Sequence, residues 1–266
     1  MHFRLFSGII DFMSRAHDAD GIRLDRALID RGIVTTRSRA QALIKEGGVK
    51  VNGKVILDKD KVIDEEAKIT LAAAELKWVS RGGLKLEHAL KFWKINVKRK
   101  VALDIGASTG GFTEVLLDAG AKKVYSLDVG HGQLATKLRE HKSVVNMEGT
   151  HVADVKLSDF AEKIDIAVID VSFISLEKIL PKAKELLKKN GTLIVLIKPQ
   201  FEVGKALVGK GIVTDPKLHA QVASRIESVV HDLGFSVGGV VASPILGGDG
   251  NKEFLLYALL GEFPVL

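Results

Sequence analysis

Several charged side chains in this 266-residue chain stand where a ligand can be held. Asp104 lies in the apolar run that starts at Val101 and leads into Ile105-Gly106-Ala107-Ser108-Thr109-Gly110-Gly111. A second run, beginning at Lys123, ends at Asp128, 22 residues beyond Gly106. A glycine-rich turn between a strand and a helix lets the backbone approach a ligand, and an acidic residue about 20 positions on takes ribose hydroxyls. That pattern is chemistry for a nucleoside. Two more groups follow apolar runs: Asp170 after Ile164 to Ile169, and Lys198 after Thr192 to Ile197. A carboxylate and an ammonium at strand ends can orient a nucleophile and manage its proton. Each also has an ordinary reading, Asp170 as a helix N-cap and Lys198 as a strand-end lysine whose head reaches solvent.

The elements that must position these groups can be read from periodicity. From Val101 onward, strand-like runs alternate with helical stretches, one of them carrying Val115, Leu116 and Leu117. Later strands are expected at 164–169, 192–197, 237–241 and 253–259. Such alternation implies an α/β fold with a mostly parallel sheet and ligands at the carboxyl ends of its strands. The turn itself reads Gly-x-Ser-x-Gly-Gly. A dinucleotide needs a second glycine so that backbone can reach its pyrophosphate, and Ser108 occupies that place, which argues against a dinucleotide.

The first part of the chain has a different texture. Leu24, Ala27 and Leu28 fall on one helical face, with Gly32 as C-cap. Thr35 or Thr36 can cap a second helix through Ala40, Leu43 and Ile44, which stops at Gly47-Gly48. Val49-Lys50-Val51-Asn52-Gly53-Lys54-Val55 then alternates around Asn-Gly, a strong hairpin signal. Two small helices and a hairpin bury little core, which suits a binding module better than an enzyme.

These residues carry a resemblance. Arg23-Leu24-Asp25, Ser38-Arg39 with Ala42-Leu43-Ile44, and Val49-x-Val51-Asn52-Gly53 resemble the S4 RNA-binding domain over roughly residues 22–72. The resemblance implies that Arg23, Arg26, Arg37, Arg39, Lys45 and Lys50 contact RNA. Structured RNA is gripped by shape and backbone, which calls for placed cations. Asp104-x-Gly106-x-x-x-Gly110-Gly111 is similar to motif I of S-adenosylmethionine-dependent methyltransferases. It implies S-adenosylmethionine as cofactor, held by Asp104, Gly106, Ala107, Ser108, Gly110, Gly111, Asp128 and Thr150.

Further motifs are Ser80-Arg81-Gly82-Gly83-Leu84-Lys85-Leu86, Asp170-Val171-Ser172-Phe173, Lys198-Pro199-Gln200-Phe201-Glu202 and Asn251-Lys252-Glu253-Phe254. Together with the S4-like part they resemble the TlyA-type (hemolysin A-like) ribosomal RNA 2′-O-methyltransferases, with an FtsJ-like catalytic domain, from Arg23 to Leu259. The resemblance implies a Rossmann-like class I methyltransferase with a mostly parallel seven-stranded sheet, preceded by a small α+β S4 domain. The expected division is an N-terminal extension at 1–20, the S4 domain at 21–75, a linker at 76–82 and the methyltransferase at 83–266. The Lys-Asp-Lys-Glu tetrad of FtsJ-like enzymes maps onto Lys85, Asp170, Lys198 and Glu253. His131 and His151 stand where relatives carry Tyr and Asn, and Gly248-Asp249 departs from their usual loop.

The tetrad suits transfer of a methyl group to a ribose 2′-hydroxyl, with cytidine in small- or large-subunit rRNA as the implied target. The hydroxyl must lose its proton while its oxygen sits about 3 Å from the sulfonium methyl. A lysine with an ordinary pKa near 10.4 is a poor base, but a second ammonium and desolvation favour its neutral form. Lys198 is thus expected as base or hydroxyl-orienting group, with Lys85 beside it. Asp170 would orient Lys198 and offset the sulfonium charge, and Glu253 would hold Lys85. Phe173 reads equally as a stacking platform for a flipped base or as a core aromatic.

Composition narrows the alternatives. The absence of cysteine excludes disulfides, thiolate metal sites and cysteine nucleophiles. The eight histidines show no metal-ligand spacing, so no metal is expected, and His88, His131, His141 and His151 read as surface or packing residues. No apolar run approaches the roughly 18 residues that span a bilayer, and a cytoplasmic protein without membrane insertion is expected. Residues 1–13 read as an amphipathic or loose extension, with Met13 a second possible start. Residues 1–100 hold 21 Lys and Arg against 13 Asp and Glu, whereas the remainder holds 18 against 20. A basic end joined to a near-neutral body fits a polyanion-binding module attached to an enzyme, its partner being ribosomal RNA or a ribosomal subunit. Two competing readings are a non-catalytic assembly factor that retains a cofactor fold, and a membrane-active hemolysin. Ser172 lacks a His-Asp arrangement, which argues against a hydrolase. A pseudouridine synthase shares the S4-like module but has no use for the glycine-rich loop.

Overall fold

The computed structural model describes residues 21–34, 36–45, 47–71, 77–204, 207–208, 211–247 and 250–263. The expected extension at 1–20, Thr35 as a cap and the Gly248-Asp249 departure lie outside them.

The N-terminal part starts with a short strand β1 (Ile22–Arg23), followed by helices α1 (Leu24–Asp30) and α2 (Arg37–Lys45). Thr36 caps α2, its hydroxyl accepting the Arg39 N–H at 3.2 Å. Strands β2 (Val49–Val51) and β3 (Lys54–Val55) form the expected hairpin around Asn52-Gly53. Two further strands are too short to show an alternating pattern. Strand β4 (Val62–Ile63) pairs with β1, and β5 (Ile69–Leu71) pairs with β2. Leu24, Leu28, Ala40, Ile44, Val49 and Ile63 form a small core of their own. At about 1.5–3 kcal/mol per buried aliphatic side chain, that core is modest, and polar contacts must complete it. Asp25 does so. Its carboxylate is 1% exposed and accepts from Arg23 at 3.0 Å, Arg37 at 3.0 Å and Gln41 at 2.8 Å. One buried acid thereby ties β1, α1 and α2 together.

Residues 77–82, expected as linker, are packed. Trp78 is buried against Leu86 and Phe112, its indole N–H donates to Glu87, and the Val79 N–H donates to Glu114 at 2.6 Å. Helix α3 (Gly82–Phe92) begins there. The chain then runs through β6 (Val101–Ile105), α4 (Gly111–Asp118), β7 (Lys123–Asp128), α5 (Thr136–Arg139), β8 (Val144–Glu148) and β9 (Ile164–Ile169). It continues with α6 (Leu180–Leu186), β10 (Leu187–Ile197), α7 (Pro199–Glu202), α8 (Pro216–Asp232), β11 (Phe235–Ala242) and β12 (Phe254–Leu260).

The seven strands from β6 to β12 form one sheet in the order β11-β12-β10-β9-β6-β7-β8, with only β12 antiparallel to its neighbours. Side chains alternate between two cores because successive strand residues face opposite sides. Leu193, Val195 and Ile197 pack with α6 and α8, whereas Ile194 and Leu196 pack with α3 and α4. The α/β architecture read from the alternation of runs is therefore observed, as is the small α+β module before it. Strand β8 has no apolar run to announce it, because as an edge strand it is half-exposed along its length.

Burial raises the Asp25 carboxyl, but hydrogen bonds, that from Arg23 first, outweigh it and hold the group well below the usual carboxylate range. Its folded-state pKa is depressed, so its contribution to stability is full above about pH 4 and is lost as pH falls further. Asp25→Asn should destabilise the N-terminal module by about 1–3 kcal/mol at pH 7. The gap to wild type should close on acidification below pH 4, as followed by hydrogen exchange of the α1 amides.

Candidate active site

The glycine-rich turn is shaped by close approach of the next strand. Gly106 has φ +87°, and a Cβ there would stand 2.3 Å from the carbonyl oxygen of Asp170, so only glycine fits between β6 and the end of β9. Gly111 is equally confined. A Cβ on it would meet the Ser80 hydroxyl at 2.3 Å and the Gly83 backbone nitrogen at 2.9 Å. This explains the Ser80-Arg81-Gly82-Gly83 motif as the place where the start of α3 meets the start of α4.

Around the turn lies a cavity of about 590 Å³, within the range of small-molecule sites. Gly106, Ala107, Ser108, Gly111, Asp128 and Thr150 line it, six of the eight residues expected to hold a nucleoside cofactor. Asp128 accepts the Ser108 N–H at 2.8 Å on one oxygen and the Gly130 N–H at 2.7 Å on the other, which leaves lone pairs of both oxygens for a ligand's hydroxyls. Gly110 and Asp104 lie behind the lining. Asp104 is fully buried, and Thr113 donates to its Oδ2 at 2.7 Å while its Oδ1 has no protein partner.

The tetrad comes together on one side of the same cavity. Lys198 Nζ stands 2.6 Å from Asp170 Oδ1 and donates to the Ser172 hydroxyl at 3.0 Å. Lys85 Nζ donates to Glu253 Oε2 at 2.5 Å, both side chains being almost wholly buried. Burial pushes the Asp170 carboxyl up, but the charges of Lys198 and Lys85 outweigh it and hold the group ionised below its ordinary range. Four residues from β9, β10, α3 and the start of β12 thus form a chain of alternating charge.

The structure adds contacts that the sequence motifs alone did not show. Glu148, at the end of β8, accepts the Gln133 and Leu134 N–H groups and so fixes the loop that contributes Gln133 to the cavity. Its only sequence signal was an acidic residue closing a weak strand. Buried Glu202 accepts from the Ser175 hydroxyl and the Leu176 N–H, each at 2.8 Å, and joins the loops that follow β9 and β10. Phe173 has φ +67°, a strained value for an aromatic residue, and is 76% exposed beside Phe201. It is not a core aromatic. Ser38, Gln41, Ala42 and Lys45 of α2 line the same cavity, with the Lys45 ammonium 4.6 Å above the Phe173 ring.

The other expected RNA contacts divide. Arg39 and, on β2, Lys50 are half-buried and Arg26 is exposed beside Asp30, whereas Arg23 and Arg37 are engaged with Asp25. Of the histidines, His88 stacks on Phe92 and His151 accepts the Ala153 N–H. Among the described residues no three His, Asp or Glu side chains gather as a metal site requires, and no helix is long and apolar enough to cross a membrane.

Burial raises the Asp104 carboxyl to about 7, against a smaller opposing effect from Thr113. The folded state therefore holds a proton that the unfolded state has released between about pH 4 and 7. The contribution of Asp104 to stability is full below pH 4 and is lost as pH rises through 7. Asp104→Asn should remove that dependence, so that denaturation midpoints at pH 5 and pH 8 lie closer together than in wild type.

Known proteins are similar to this chain. Residues 78–259 match the FtsJ-like methyltransferase family and residues 22–69 match the S4 domain. YqxC of Bacillus subtilis is 47% identical over 88% of this chain and 84% of its own length. The 16S/23S rRNA (cytidine-2′-O)-methyltransferase TlyA of Mycobacterium tuberculosis is 40% identical over 88% of each. A solved hemolysin-family structure from Streptococcus thermophilus is 41% identical, with a TM-score of 0.72 over 92% of this chain and 90% of that one. A methyltransferase fold with the glycine turn and charged tetrad in place, an S4 module before it, and relatives that share both over nearly their whole length lead to one conclusion: the chain belongs to the TlyA-type, or hemolysin A-like, family of FtsJ-like methyltransferases.

Proposed function

We propose that the protein transfers the methyl group of S-adenosylmethionine to a ribose 2′-hydroxyl of ribosomal RNA, with cytidine as the target nucleoside. The observation that carries this reading is the pairing of Lys198 with Asp170 and of Lys85 with Glu253 beside the glycine turn. A protein that only bound RNA would have no use for four ionised groups at the rim of a nucleoside-sized cavity. The relative named as a 16S/23S rRNA (cytidine-2′-O)-methyltransferase supports the choice of substrate.

The residues present fit the cofactor. The Gly106 turn, which only glycine can make against the Asp170 carbonyl, lines the cavity, and Asp128 offers acceptor lone pairs to ribose hydroxyls. Gly106, Ala107, Ser108, Gly111, Asp128 and Thr150 would hold the nucleoside, with Asp104 and Gly110 supporting the turn from behind. When bound, S-adenosylmethionine supplies an electrophilic methyl on a sulfonium. The chain does the rest. Asp170 fixes Lys198 by its ion pair and places a negative charge near the sulfonium. The Lys198 Nζ would meet the incoming hydroxyl and, in its neutral form, accept its proton as the oxygen takes the methyl, which leaves an ammonium paired with Asp170. Lys85, held by Glu253, adds its positive charge near Asp170 and would steady the ribose oxygen or adjacent phosphate. The gain comes from positioning and preorganised charge, with no covalent intermediate.

Phe173, exposed and held in a strained conformation, provides a face on which a flipped base can stack. The Lys45 ammonium above that ring would give way to the base and turn to its phosphate. The S4 module would grip the surrounding RNA through Arg26, Arg39, Lys45 and Lys50, with Arg23 and Arg37 primarily holding its fold. We place the S4 module at residues 21–75 and the methyltransferase from residue 83 onward, with 76–82 between them.

Labelled methyl transfer to ribosomal subunits from cells lacking the protein, mapped by resistance of the product to alkaline hydrolysis, tests the reaction. One resistant linkage at a discrete ribose is expected, and no transfer to 30S, 50S or naked rRNA would overturn the reading. Lys198→Ala should lower turnover at least 100-fold, within the range of general acid–base effects, with RNA affinity within a few fold of wild type. An equal loss of binding would remove Lys198 from the chemistry. Arg26→Glu with Arg39→Glu should weaken RNA binding and flatten its salt dependence by about two units on a log–log plot, without the damage that reversal of Arg37 beside Asp25 would cause.

A further inference from the structure

The end of the sheet opposite the cavity has a charge pattern that methyl transfer does not use. The parallel strands enter the sheet at that end. Five stretches there, 93–100, 119–123, 140–143, 160–163 and 187–191, hold ten Lys and Arg against two Glu. Residues 101–266 as a whole hold slightly more acid than base, so these cations are concentrated at one rim.

The strand pairing shows that they are neighbours. Val101 on β6 pairs with Lys123 on β7, the Arg99 N–H donates to the Gly120 carbonyl, and the Lys122 N–H donates to the Lys100 carbonyl. Lys142 precedes β8, which pairs with β7, and Lys163 precedes β9, which pairs with β6. Leu187, before Lys188 and Lys189, pairs with Ile164. Lys98, Arg99, Lys122, Lys142, Lys163 and Lys189 are all exposed. Three carboxylates temper the rim, Glu140, Glu162 beside Lys122 and Asp165 beside Lys188, and they leave most of its positive charge facing solvent.

We infer that this rim is a second docking surface for RNA backbone. The inference rests on the RNA-methylation reading and refines its substrate. Strands of five or six residues at about 3.3 Å each separate the rim from the cavity by roughly 20 Å. An RNA segment that presents its ribose to Lys198 cannot also lie along the rim without wrapping around the domain. The phosphates that meet the rim therefore belong to a different segment, and only a large folded RNA or an assembled subunit offers both at once. A row of lysines with little aromatic surface contributes position and affinity through phosphates and no base readout.

The test is the variant Lys98→Glu, Lys142→Glu, Lys163→Glu, Lys189→Glu, with isolated 30S and 50S subunits and a short stem-loop RNA as probes. Subunit affinity should fall at least tenfold, and its log–log salt slope should become shallower by about two to four units. Affinity for the stem-loop should stay within about twofold, and S-adenosylmethionine binding and the melting temperature should match wild type. Unchanged subunit affinity and slope would overturn the inference. So would a parallel loss on the stem-loop, which would mark a diffuse field without a docking site. Phosphatidylglycerol vesicles that bind the wild type as tightly as subunits do, and lose the variant, would assign the rim to a membrane surface instead. If wild-type protein methylates no RNA, the proposed reaction fails by itself, because the subunit-binding comparison is read without turnover.

Discussion

Two adjacent ion pairs, Lys198 with Asp170 and Lys85 with Glu253, are the interaction on which the site of this protein turns. Asp170 is ionised at the end of β9 because Lys198 and Lys85 flank it, and Lys85 in turn is neutralised by Glu253. Charges removed from water are tolerated only where each has a partner, and removal of one member leaves another stranded. The four residues come from four separate places in the chain, and the pairing of β9, β10 and β12 in one sheet, with α3 packed against it, brings their charges together. The same closeness makes the glycine turn necessary, since the Asp170 carbonyl occupies the space that any side chain at position 106 would need. The charged tetrad and the glycine turn that lines the cavity are therefore two consequences of one packing arrangement.

The N-terminal module repeats this logic on a smaller scale. Beside its apolar core, Asp25 ties α1 to α2 and β1 through Arg23, Arg37 and Gln41. Two arginines in an RNA-binding module thus serve its own fold. The division matters for function, because α2 carries both a buried face that depends on Asp25 and a face that lines the methyltransferase cavity. An RNA that binds the module acts on an element already in contact with Phe173 through Lys45.

Much of this architecture is legible in the residue pattern. The alternation of apolar runs locates six of the seven strands in the large sheet, and the glycine-rich turn with Asp128 marks the cofactor end. Strand β8 escapes because an edge strand need not be apolar. Glu148 and Glu202 escape for a related reason: each acts through backbone N–H groups of a distant loop, and such contacts impose no residue pattern nearby. Phe173 is ambiguous because an aromatic side chain serves a core or a surface equally well, and only its backbone strain and exposure separate the two.

Local features follow from the order of residues: which runs become strands and helices, where a nucleoside can sit, and which residue types could carry methyl transfer. They arise from periodicity and from the conformational demands of short motifs, which act within a few residues. Partnerships arise from the folded chain instead. Folding sets Lys85 on Glu253 across 168 positions, engages Arg23 and Arg37 with Asp25, and packs residues 77–82 where a linker was expected. It also gathers cations from five separate stretches onto one rim. Pairing over such separations depends on how parallel strands stack their ends, and no stretch of chain contains that information alone.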